Sequence, residues 1–184
     1  VLDISKIESG KFVLTPTDIS LPELVSGLLE IITPQARDKE QKFTYDVPEF
    51  ACPKVSADAI RLNQIYINLL SNAVKYTPPG GSIHMSFREE QLDENRVRLT
   101  FRVSDTGIGM SPEFQKHMYQ SFAREVSTQV NRTQGSGLGL SIVRQMVELM
   151  DGTIDCESQV NKGTTFTVGL SLPIVRQADT RTGE

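Results

Sequence analysis

Apolar residues recur at helical spacing in three long stretches of the chain. The first covers 21–39, where Pro34 predicts a kink or a break. The second runs from Asp58, a candidate N-cap, to about Tyr76, and the Thr-Pro-Pro-Gly-Gly that follows ends it. The third covers 137–150, and its apolar stripe consists of Leu138, Ile142, Met146 and Leu149. The pattern therefore predicts three long helices.

Apolar and polar residues alternate with a period of two in the segments 83–88 and 96–103. The acidic, polar stretch 89–95 between them predicts a hairpin loop. Further strands are predicted at 12–19, 43–47, 153–158 and 164–172. Ser-Pro-Glu at 111–113 predicts a helix start, and the polar, aperiodic stretch 124–136 predicts a mobile loop. Helices and strands thus alternate along the chain.

Length and charge limit the kinds of protein this can be. The 184 residues suit one globular domain. With 19 basic and 23 acidic residues the net charge is -4, which argues against a nucleic-acid partner. No apolar run is long enough to insert into a membrane, and no signal peptide is visible. Val1 predicts that the chain is a fragment of a longer protein, and Cys52 and Cys156 fit a reduced cytoplasmic setting, with one disulfide left open.

A polar stripe follows the second predicted helix. Arg61, Gln64, Asn68, Asn72 and Lys75 fall within about 80° of arc at 100° per residue. A solvated face is the simplest interpretation, but asparagine is a poor helix former and an ordinary solvent face favours Glu, Lys or Gln. An asparagine carbonyl is a hard oxygen ligand suited to Mg²⁺, and a lysine one turn further on could neutralise phosphate charge. The stripe therefore predicts a site for a metal-bound phosphate compound.

Asp105 shares the inward parity of the preceding strand, where an unpaired charge is unfavourable. An adenine amine is a plausible partner, and Gly107 and Gly109 allow the backbone to come close. An Asx-turn at a strand end is the plainer alternative. Asp-Thr-Gly also marks aspartic proteases, but these need two such carboxylates and the chain has one, so a protease would have to be a homodimer.

Three glycines, Gly135, Gly137 and Gly139, precede the third predicted helix, whose free N–H groups favour anions. No Gly-Lys-Ser/Thr follows, so this is not a Walker A loop, and Leu140 occupies the third glycine position of a dinucleotide fingerprint. A flexible turn is the alternative. Thr164 shares the inward parity of the last strand, so its hydroxyl is expected to point toward the proposed base pocket, or it is an ordinary β-branched strand residue.

In this order and spacing, the segments resemble the catalytic, ATP-binding domain of sensor histidine kinases, within the superfamily shared with gyrase, heat-shock and mismatch-repair ATPases. The resemblance covers 12–172, nearly the whole chain. The segment 68–77, which includes Tyr76, resembles the N box, whose second asparagine holds Mg²⁺. The segment 105–109 resembles the G1 box, whose aspartate reads adenine.

Three further segments resemble motifs of the same family. The segment 118–124 is similar to the F box, with Tyr119 where phenylalanine is usual, and it contributes Phe122 and Arg124 to the implied nucleotide site. The G2 box corresponds to 135–140, which includes Leu138, and the G3 box to 163–164. The stretch 124–136 would then be the ATP lid.

The resemblance implies an α/β (α+β) two-layer sandwich of the Bergerat type, a mixed sheet of about five strands with three helices on one face. It implies ATP and Mg²⁺ as cofactors and Asn72 as the metal ligand. It further implies that 1–10 ends a helix of the dimerisation hairpin, that 11–173 is the ATP-binding domain and that 174–184 is a polar tail or linker. His84 and His117 do not resemble phosphoacceptors, so the chain is not expected to autophosphorylate alone.

Three functions follow as hypotheses. The first is a protein-histidine kinase module that transfers the ATP γ-phosphate to its own dimerisation hairpin, with a response-regulator receiver domain downstream. The second is an ATP hydrolase or clamp of the same superfamily, in which a glutamate four residues before the metal-binding asparagine activates water; here that position is Asn68. The third is a non-catalytic nucleotide-sensing or docking module. The fragment is expected to be monomeric and cytoplasmic, and its parent a homodimer that is soluble or membrane-anchored.

Overall fold

The fold is seen in a computed structural model that describes residues 13–120 and 139–176. Its strands are β1 (Thr17–Ser20), β2 (Lys42–Asp46), β3 (Lys54–Ala57), β4 (Ser82–Gln91), β5 (Arg96–Asp105), β6 (Thr153–Gln159) and β7 (Gly163–Pro173). Its helices are α1 (Leu21–Asp38), α2 (Ala59–Tyr76), α3 (Pro112–Gln115) and α4 (Gly139–Leu149). Over the described residues, the three long helices are the predicted ones, and α3 is a single turn at the predicted helix start 111–113.

The helix starts follow the sequence signals. Ser20 caps α1, where its side chain accepts a hydrogen bond from the N–H of Glu23 at 3.4 Å. Asp58 caps α2 and accepts from the N–H of Arg61 at 3.2 Å, so the predicted N-cap is confirmed. Pro34 lies inside α1, which continues past it to Asp38. Of the predicted kink or break, the break is therefore wrong: packing of the apolar stripe of α1 outweighs the one backbone hydrogen bond that a proline removes.

Five strands form a mixed sheet in the order β2-β4-β5-β7-β6. Strand β2 pairs with β4 in parallel, and the other neighbours are antiparallel. The predicted strand at 12–19 begins only at Thr17, and 13–16 has no regular structure. That strand pairs with β3, which the sequence analysis missed because its four residues carry too short a pattern. The predicted hairpin is confirmed, with β4 extending to Gln91.

The two faces of the sheet differ in polarity. The inner face carries the buried residues of β4, β5 and β7 and packs against α1, α2 and α4. At its centre Tyr66 of α2 lies between Phe87 and Phe101, with ring centroids 5.3 and 4.6 Å away. Burying each such side chain contributes about 1.5–3 kcal/mol. The outer face is polar. The two-layer α/β sandwich is therefore confirmed, with the long helices on one face of the sheet.

The predicted stripe of α4 is rotated from the one observed. Met146 is buried as expected, but Ile142 and Leu149 are only partly buried. The buried face is instead centred on Ser141, Val143, Met146 and Val147. Helix α4 packs against α2, and Ser141 is among the residues that are buried. Leu138 of the predicted stripe and the predicted loop 124–136 lie outside the described residues.

The described part of the predicted tail is attached to the fold. Ile174 forms an isolated bridge with Val55, and its N–H donates to the carbonyl of Asn95 at 2.8 Å. The N–H of Val175 donates to the carbonyl of Lys54 at 3.0 Å. These contacts carry the end of β7 onto the small β1–β3 sheet. Within the described residues, no helix combines the length and apolarity that crossing a bilayer requires.

Candidate functional site

Asp105 ends β5 on the inner side of the sheet, as its parity predicts. Its Oδ1 accepts hydrogen bonds from the N–H groups of Gly107, at 2.9 Å, and Thr164, at 3.2 Å. Burial raises the pKa of this carboxyl group above its ordinary value, and the two backbone N–H groups act in the opposite direction. Both hydrogen bonds go to Oδ1, so within the described residues Oδ2 remains available to a donor from a ligand.

Ser158 joins the loop after β5 to the start of β7. Its hydroxyl donates to the carbonyl of Gly163 at 3.1 Å and accepts from the N–H of Met110 at 2.8 Å. Because that single hydroxyl hydrogen is used, the Thr164 hydroxyl is the donor across the 2.8 Å contact between the two side chains. Thr164 is only 9% exposed, so the predicted inward orientation is found. Sequence reasoning missed Ser158, since nothing local marks a serine on an edge strand.

The predicted glycines of the loop after β5 lie against the protein's own backbone. A Cβ on Gly107 would lie 2.5 Å from the carbonyl oxygen of Tyr76. Gly109 has a φ of +66°, and a Cβ there would overlap the carbonyl of Gln159. The predicted contact of these glycines with a ligand stays a prediction. The structure shows that they let this loop close against the end of α2 and the turn after β6.

The Asp105 corner is the name used below for Asp105, Gly107, Ser158 and Thr164. Its hydrogen bonds join β5, β6 and β7 at one end of the sheet. It also contacts α2, because the N–H of Ile108, next to Gly107, donates to the carbonyl of Tyr76 at 3.1 Å. This corner therefore holds a buried carboxyl group in a fixed orientation before any ligand arrives.

The end of α2 is held by the segment after α1, which sequence reasoning also missed. Lys39 Nζ donates to the carbonyls of Val74 and Lys75 at 2.8 and 2.7 Å. Gln41 Nε2 donates to the carbonyls of Val74 and Thr77 at 2.7 and 2.5 Å. The last carbonyls of a helix have no intrahelical partner, and cations are favourable there. These two side chains thus fix the helix end that carries Lys75 and Tyr76.

The asparagine side is the name used below for Asn68, Asn72 and Gly139. A Cβ on Gly139 would lie 3.7 Å from Asn68 Oδ1 and 3.9 Å from Asn72 Nδ2, so the start of α4 lies directly beside both amides. Both asparagines are half-buried, and within the described residues neither side chain makes a hydrogen bond. The structure therefore brings together two segments that the sequence places far apart, and it leaves their amide groups available to a ligand.

Lys75 lies one turn beyond Asn72 on the same side of α2 and is half-buried. Its Nζ is 5.6 Å from the centroid of the Tyr76 ring, and both residues make further contacts. The remaining predicted site residues lie outside the described residues: Phe122, Arg124, Gly135, Gly137 and Leu138.

Tyr119 and Cys156 lie next to the Asp105 corner. Burial raises the pKa of the Cys156 thiol to about 12, and the nearby Asp105 and Glu157 carboxylates act in the same direction. Burial also raises the pKa of Tyr119 to about 12, and the Arg144 guanidinium lies 4.8 Å from its ring centroid. Both groups are therefore protonated at neutral pH, so neither one acts as a base or nucleophile there.

The groups present fit an adenine nucleotide with a metal ion. A buried carboxyl group with one oxygen available can accept a hydrogen bond from a base amine. The half-buried asparagine amides have no partner in the described residues, and an amide oxygen is a ligand that Mg²⁺ accepts when phosphates and water complete its shell. Within the described residues no cluster of three His, Cys, Asp or Glu side chains could hold a metal alone. The described residues therefore fit a metal that is held together with a bound phosphate compound.

Comparison with known proteins agrees with this geometry. A family model described as histidine kinase-, DNA gyrase B- and HSP90-like ATPase matches residues 57–174. The chain is 39% identical over 177 residues to the autoinducer 2 sensor kinase/phosphatase LuxQ of Vibrio vulnificus, covering 95% of this chain and 20% of that protein. It is 40% identical over 170 residues to the circadian input-output histidine kinase CikA of Synechococcus elongatus, covering 91% of this chain and 22% of that protein. The chain spans about a fifth of the length of these curated relatives.

Solved structures show the same fold. Full-length ShkA in complex with AMPPNP has a TM-score of 0.76 at 26% identity, over 96% of this chain and 35% of that one. The catalytic domain of the histidine kinase ThkA has a TM-score of 0.67 at 26% identity, over 87% of this chain and 96% of that one. The chain therefore belongs to the histidine kinase-, DNA gyrase B- and HSP90-like ATPase family, as an ATP-binding domain of the type found in sensor histidine kinases.

Proposed function

We propose that this domain binds ATP with Mg²⁺ and delivers the γ-phosphate to a histidine on a separate dimerisation hairpin. One observation carries the proposal: Asp105 is buried at the sheet end with one oxygen held by backbone N–H groups, in a chain whose relatives are sensor kinases. Oδ1 of this carboxyl group closes an Asx-turn with Gly107 and holds Thr164, and Oδ2 is the oxygen that we assign to a base amine. The AMPPNP complex of the similar ShkA supports an ATP-like ligand.

Each end of the nucleotide has its own residues in this proposal. Asp105 accepts the adenine amine through Oδ2, while Thr164 and Gly107 keep the carboxyl group in place. Asn72 would provide an amide oxygen to hold Mg²⁺, and the ion would supply positive charge that neutralises the phosphates. Lys75 adds a positive charge one turn away.

Further contacts to the nucleotide are assigned by the family resemblance. The N–H groups at the start of α4, at Gly139, face the phosphates. Further contacts come from Asn68, Tyr76, Phe122, Arg124, Gly135, Gly137 and Leu138. These assignments place the phosphates beside the asparagine side and the lid at 124–136.

Transfer to a histidine is favoured over hydrolysis by the residue at position 68. Superfamily members that hydrolyse ATP carry a glutamate there, four residues before the metal-binding asparagine, and this glutamate accepts a proton from water. Asn68 has an amide, which cannot accept that proton. The remaining groups position the nucleotide and shield charge, which is what phosphoryl transfer requires. The domain therefore holds ATP without efficiently consuming it.

The proposal extends to the rest of the protein by analogy with the named relatives. In this proposal, residues 11–173 form the ATP-binding catalytic domain. Residues 1–10 form the end of a helix of the dimerisation hairpin, and residues 174–184 form a polar tail or linker. The hairpin and a downstream receiver domain of a response regulator are the partners, and the catalytic domain works in the cytoplasm. The isolated chain is monomeric, and the full protein is a homodimer through its hairpin.

The test mixes the purified chain, the dimerisation hairpin of the parent protein and γ-labelled ATP with Mg²⁺. Label should appear on the hairpin and disappear when its acceptor histidine is replaced. Without the hairpin, release of phosphate should stay slow, at less than about one turnover per minute, far below the usual range of enzyme turnover. Rapid phosphate release would favour an ATPase. ATP binding with no transfer would favour a nucleotide-sensing module.

A further inference from the structure

The outer face of the sheet carries a group of arginines that the proposed function does not use. Arg88 of β4 and Arg98 and Arg102 of β5 are exposed and lie on the same side of the sheet. Arg88 is directly opposite Thr100, so Arg98 and Arg102 are its two diagonal neighbours, at Cα separations of roughly 7–8 Å. We call these three residues the arginine face.

None of the three guanidinium groups takes part in a hydrogen bond or ion pair within residues 13–120 and 139–176. Arg96, on the same side of β5, provides the contrast. Its Nε donates to Ser171 Oγ at 2.8 Å and its terminal nitrogen to the Ser171 carbonyl at 2.7 Å. The three residues of the arginine face therefore differ from Arg96, whose side chain donates hydrogen bonds to the neighbouring strand of the sheet.

Like charges at neighbouring cross-strand positions destabilise a sheet, and acidic partners between them would relieve the repulsion. Arg98 has Glu90 opposite it, but the positions opposite Arg88 and Arg102 carry hydroxyl groups instead. Ser86 lies opposite Arg102, Thr100 lies opposite Arg88, and Thr167 lies opposite Arg102 on the next strand. An open groove of about 310 Å³ runs among these side chains. Guanidinium forks next to hydroxyl donors form a surface suited to carboxylate oxygens.

We propose that the arginine face docks an acidic segment of a partner protein. Charge complementarity decides the kind of occupant. Glu157 also lines the groove, and Glu90 lies directly opposite Arg98. These carboxylates limit the positive region to a short patch on a chain with a net charge of -4. A long polyanion or an anionic bilayer would meet repulsion around the patch, whereas a short carboxylate-bearing segment covers the patch alone.

This inference is independent of the proposed function. The arginines point away from the helices, and the Asp105 corner and the asparagine side lie on the inner face of the sheet. Occupation of the arginine face therefore leaves the nucleotide site open. A partner held there would stay attached while ATP binds and leaves.

The test uses fluorescence anisotropy at low salt with a short labelled peptide of alternating glutamate and serine. Arg88→Gln with Arg102→Gln should weaken binding about tenfold, as expected for two charge-assisted contacts. The control pair, Arg37→Gln with Lys54→Gln, removes the same charge from α1 and the β1–β3 sheet and should change binding less than about twofold. Both pairs should keep their circular dichroism spectrum and their ATP affinity.

Replacing Arg88 and Arg102 by lysine keeps the charge but removes the forked donors, and it should give an intermediate loss. Equal weakening by the two glutamine pairs would show only long-range attraction and overturn the proposal. So would equal binding of a peptide with glutamine in place of glutamate, or no binding by the unaltered chain. Tighter binding to phosphatidylserine vesicles or to a single-stranded oligonucleotide would assign the face to a different class of partner.

Discussion

The Asp105 corner and the asparagine side are built by different means. In the corner, backbone N–H groups and two hydroxyls fix every member, and the central distances are 2.8–3.2 Å. On the asparagine side, two half-buried amides lie near Gly139 with no hydrogen bond in the described residues. The corner thus fixes its carboxyl group without a ligand, while the asparagine side has amide groups that no described residue satisfies.

This difference matches what each end of ATP demands. A base is rigid and its amine has one position, so a prearranged acceptor discriminates well. Phosphates carry charge, bring a metal and change during the reaction, so groups with remaining hydrogen-bonding capacity suit them better. Variants on the two sides should therefore fail in different ways, and the following experiments test that expectation.

The largest effect is expected from Asn72→Ala on the asparagine side. Loss of the amide oxygen should reduce phosphoryl transfer by about a hundredfold or more, since even indirect partners of metal ligands are worth 10–100-fold. ATP affinity measured by calorimetry should lose its dependence on Mg²⁺. Asn63→Ala is the control, because Asn63 donates to the carbonyl of Ala59 on the first turn of α2. An unchanged metal dependence in Asn72→Ala would refute the assignment.

Asp105→Asn should weaken ATP by about 10–100-fold, the range for a lost hydrogen bond to a charged acceptor. ADP should weaken equally, because the base contact is the same. Inosine triphosphate, which lacks the amine, should bind weakly to the parent chain and change little in the variant. Asp46→Asn, an exposed aspartate on β2, is the control. An equal loss of affinity for inosine triphosphate would show that Asp105 does not bind the adenine amine.

The same variant also tests the Asp105 corner through the pH dependence of the free energy of unfolding. Burial raises the pKa of Asp105 in the folded state, so the folded protein binds this proton more tightly than the unfolded chain does. The free energy of unfolding should therefore fall as pH rises from the ordinary carboxyl pKa through the raised one. Asp105→Asn should flatten that part of the profile and stabilise the nucleotide-free protein at neutral pH. A steeper profile in the variant would contradict the effect of burial.

Lys39→Met should test how far the two sides are coupled. The change removes the amine that donates two hydrogen bonds to the end of α2, and it should lower the free energy of unfolding by about 1–2 kcal/mol, a few degrees in Tm. Because the Tyr76 carbonyl also holds Ile108, ATP affinity should fall more than the Mg²⁺ dependence changes. Lys42→Met, an exposed lysine on β2, is the control. Loss of metal dependence alone would show that the helix end serves the asparagine side only.

The smallest effect is expected from Tyr66→Phe, beneath both sides. The Tyr66 hydroxyl is buried with no hydrogen-bond partner in the described residues, between α2 and β5. Its removal should stabilise the protein by about 1 kcal/mol, since an unsatisfied buried hydroxyl carries that penalty. ATP affinity should not change. Tyr45→Phe on exposed β2 is the control for chemical denaturation, and a destabilised Tyr66→Phe would reveal a hidden partner.

The sequence predicted those parts of the fold that have a local cause. Asp58 caps α2 because an N-cap needs only its next three residues, and β4 and β5 alternate because one face meets the core. Strand β3 was not predicted, because four residues are too few to show the alternation of apolar and polar positions that marks a strand. The stripe of α4 was rotated because its buried face depends on α2, which lies elsewhere in the chain.

The candidate site divides in the same way. Asn72 and Asp105 could be named because their residue types are unusual at a helix face and at an inward strand position. Lys39, Gln41 and Ser158 could not, because their partners are 5 to 48 residues away and no local pattern records such a contact. The roles of the named residues in nucleotide binding stay predictions, which the affinity measurements above test.

The pairing of β5 with β7 affects the order in which parts of the protein fold during synthesis. The N–H that holds the Asp105 carboxyl group belongs to a residue 59 positions later in the chain. During synthesis β5 can pair with β4 at once. The other edge of β5 stays unpaired until β7 has left the ribosome. Pairing of such distant segments is slow, and an unpaired edge is open to association with other chains. The Asp105 corner is therefore among the last parts to form, and the proposed contact of Asp105 with a base requires β7 to be in place.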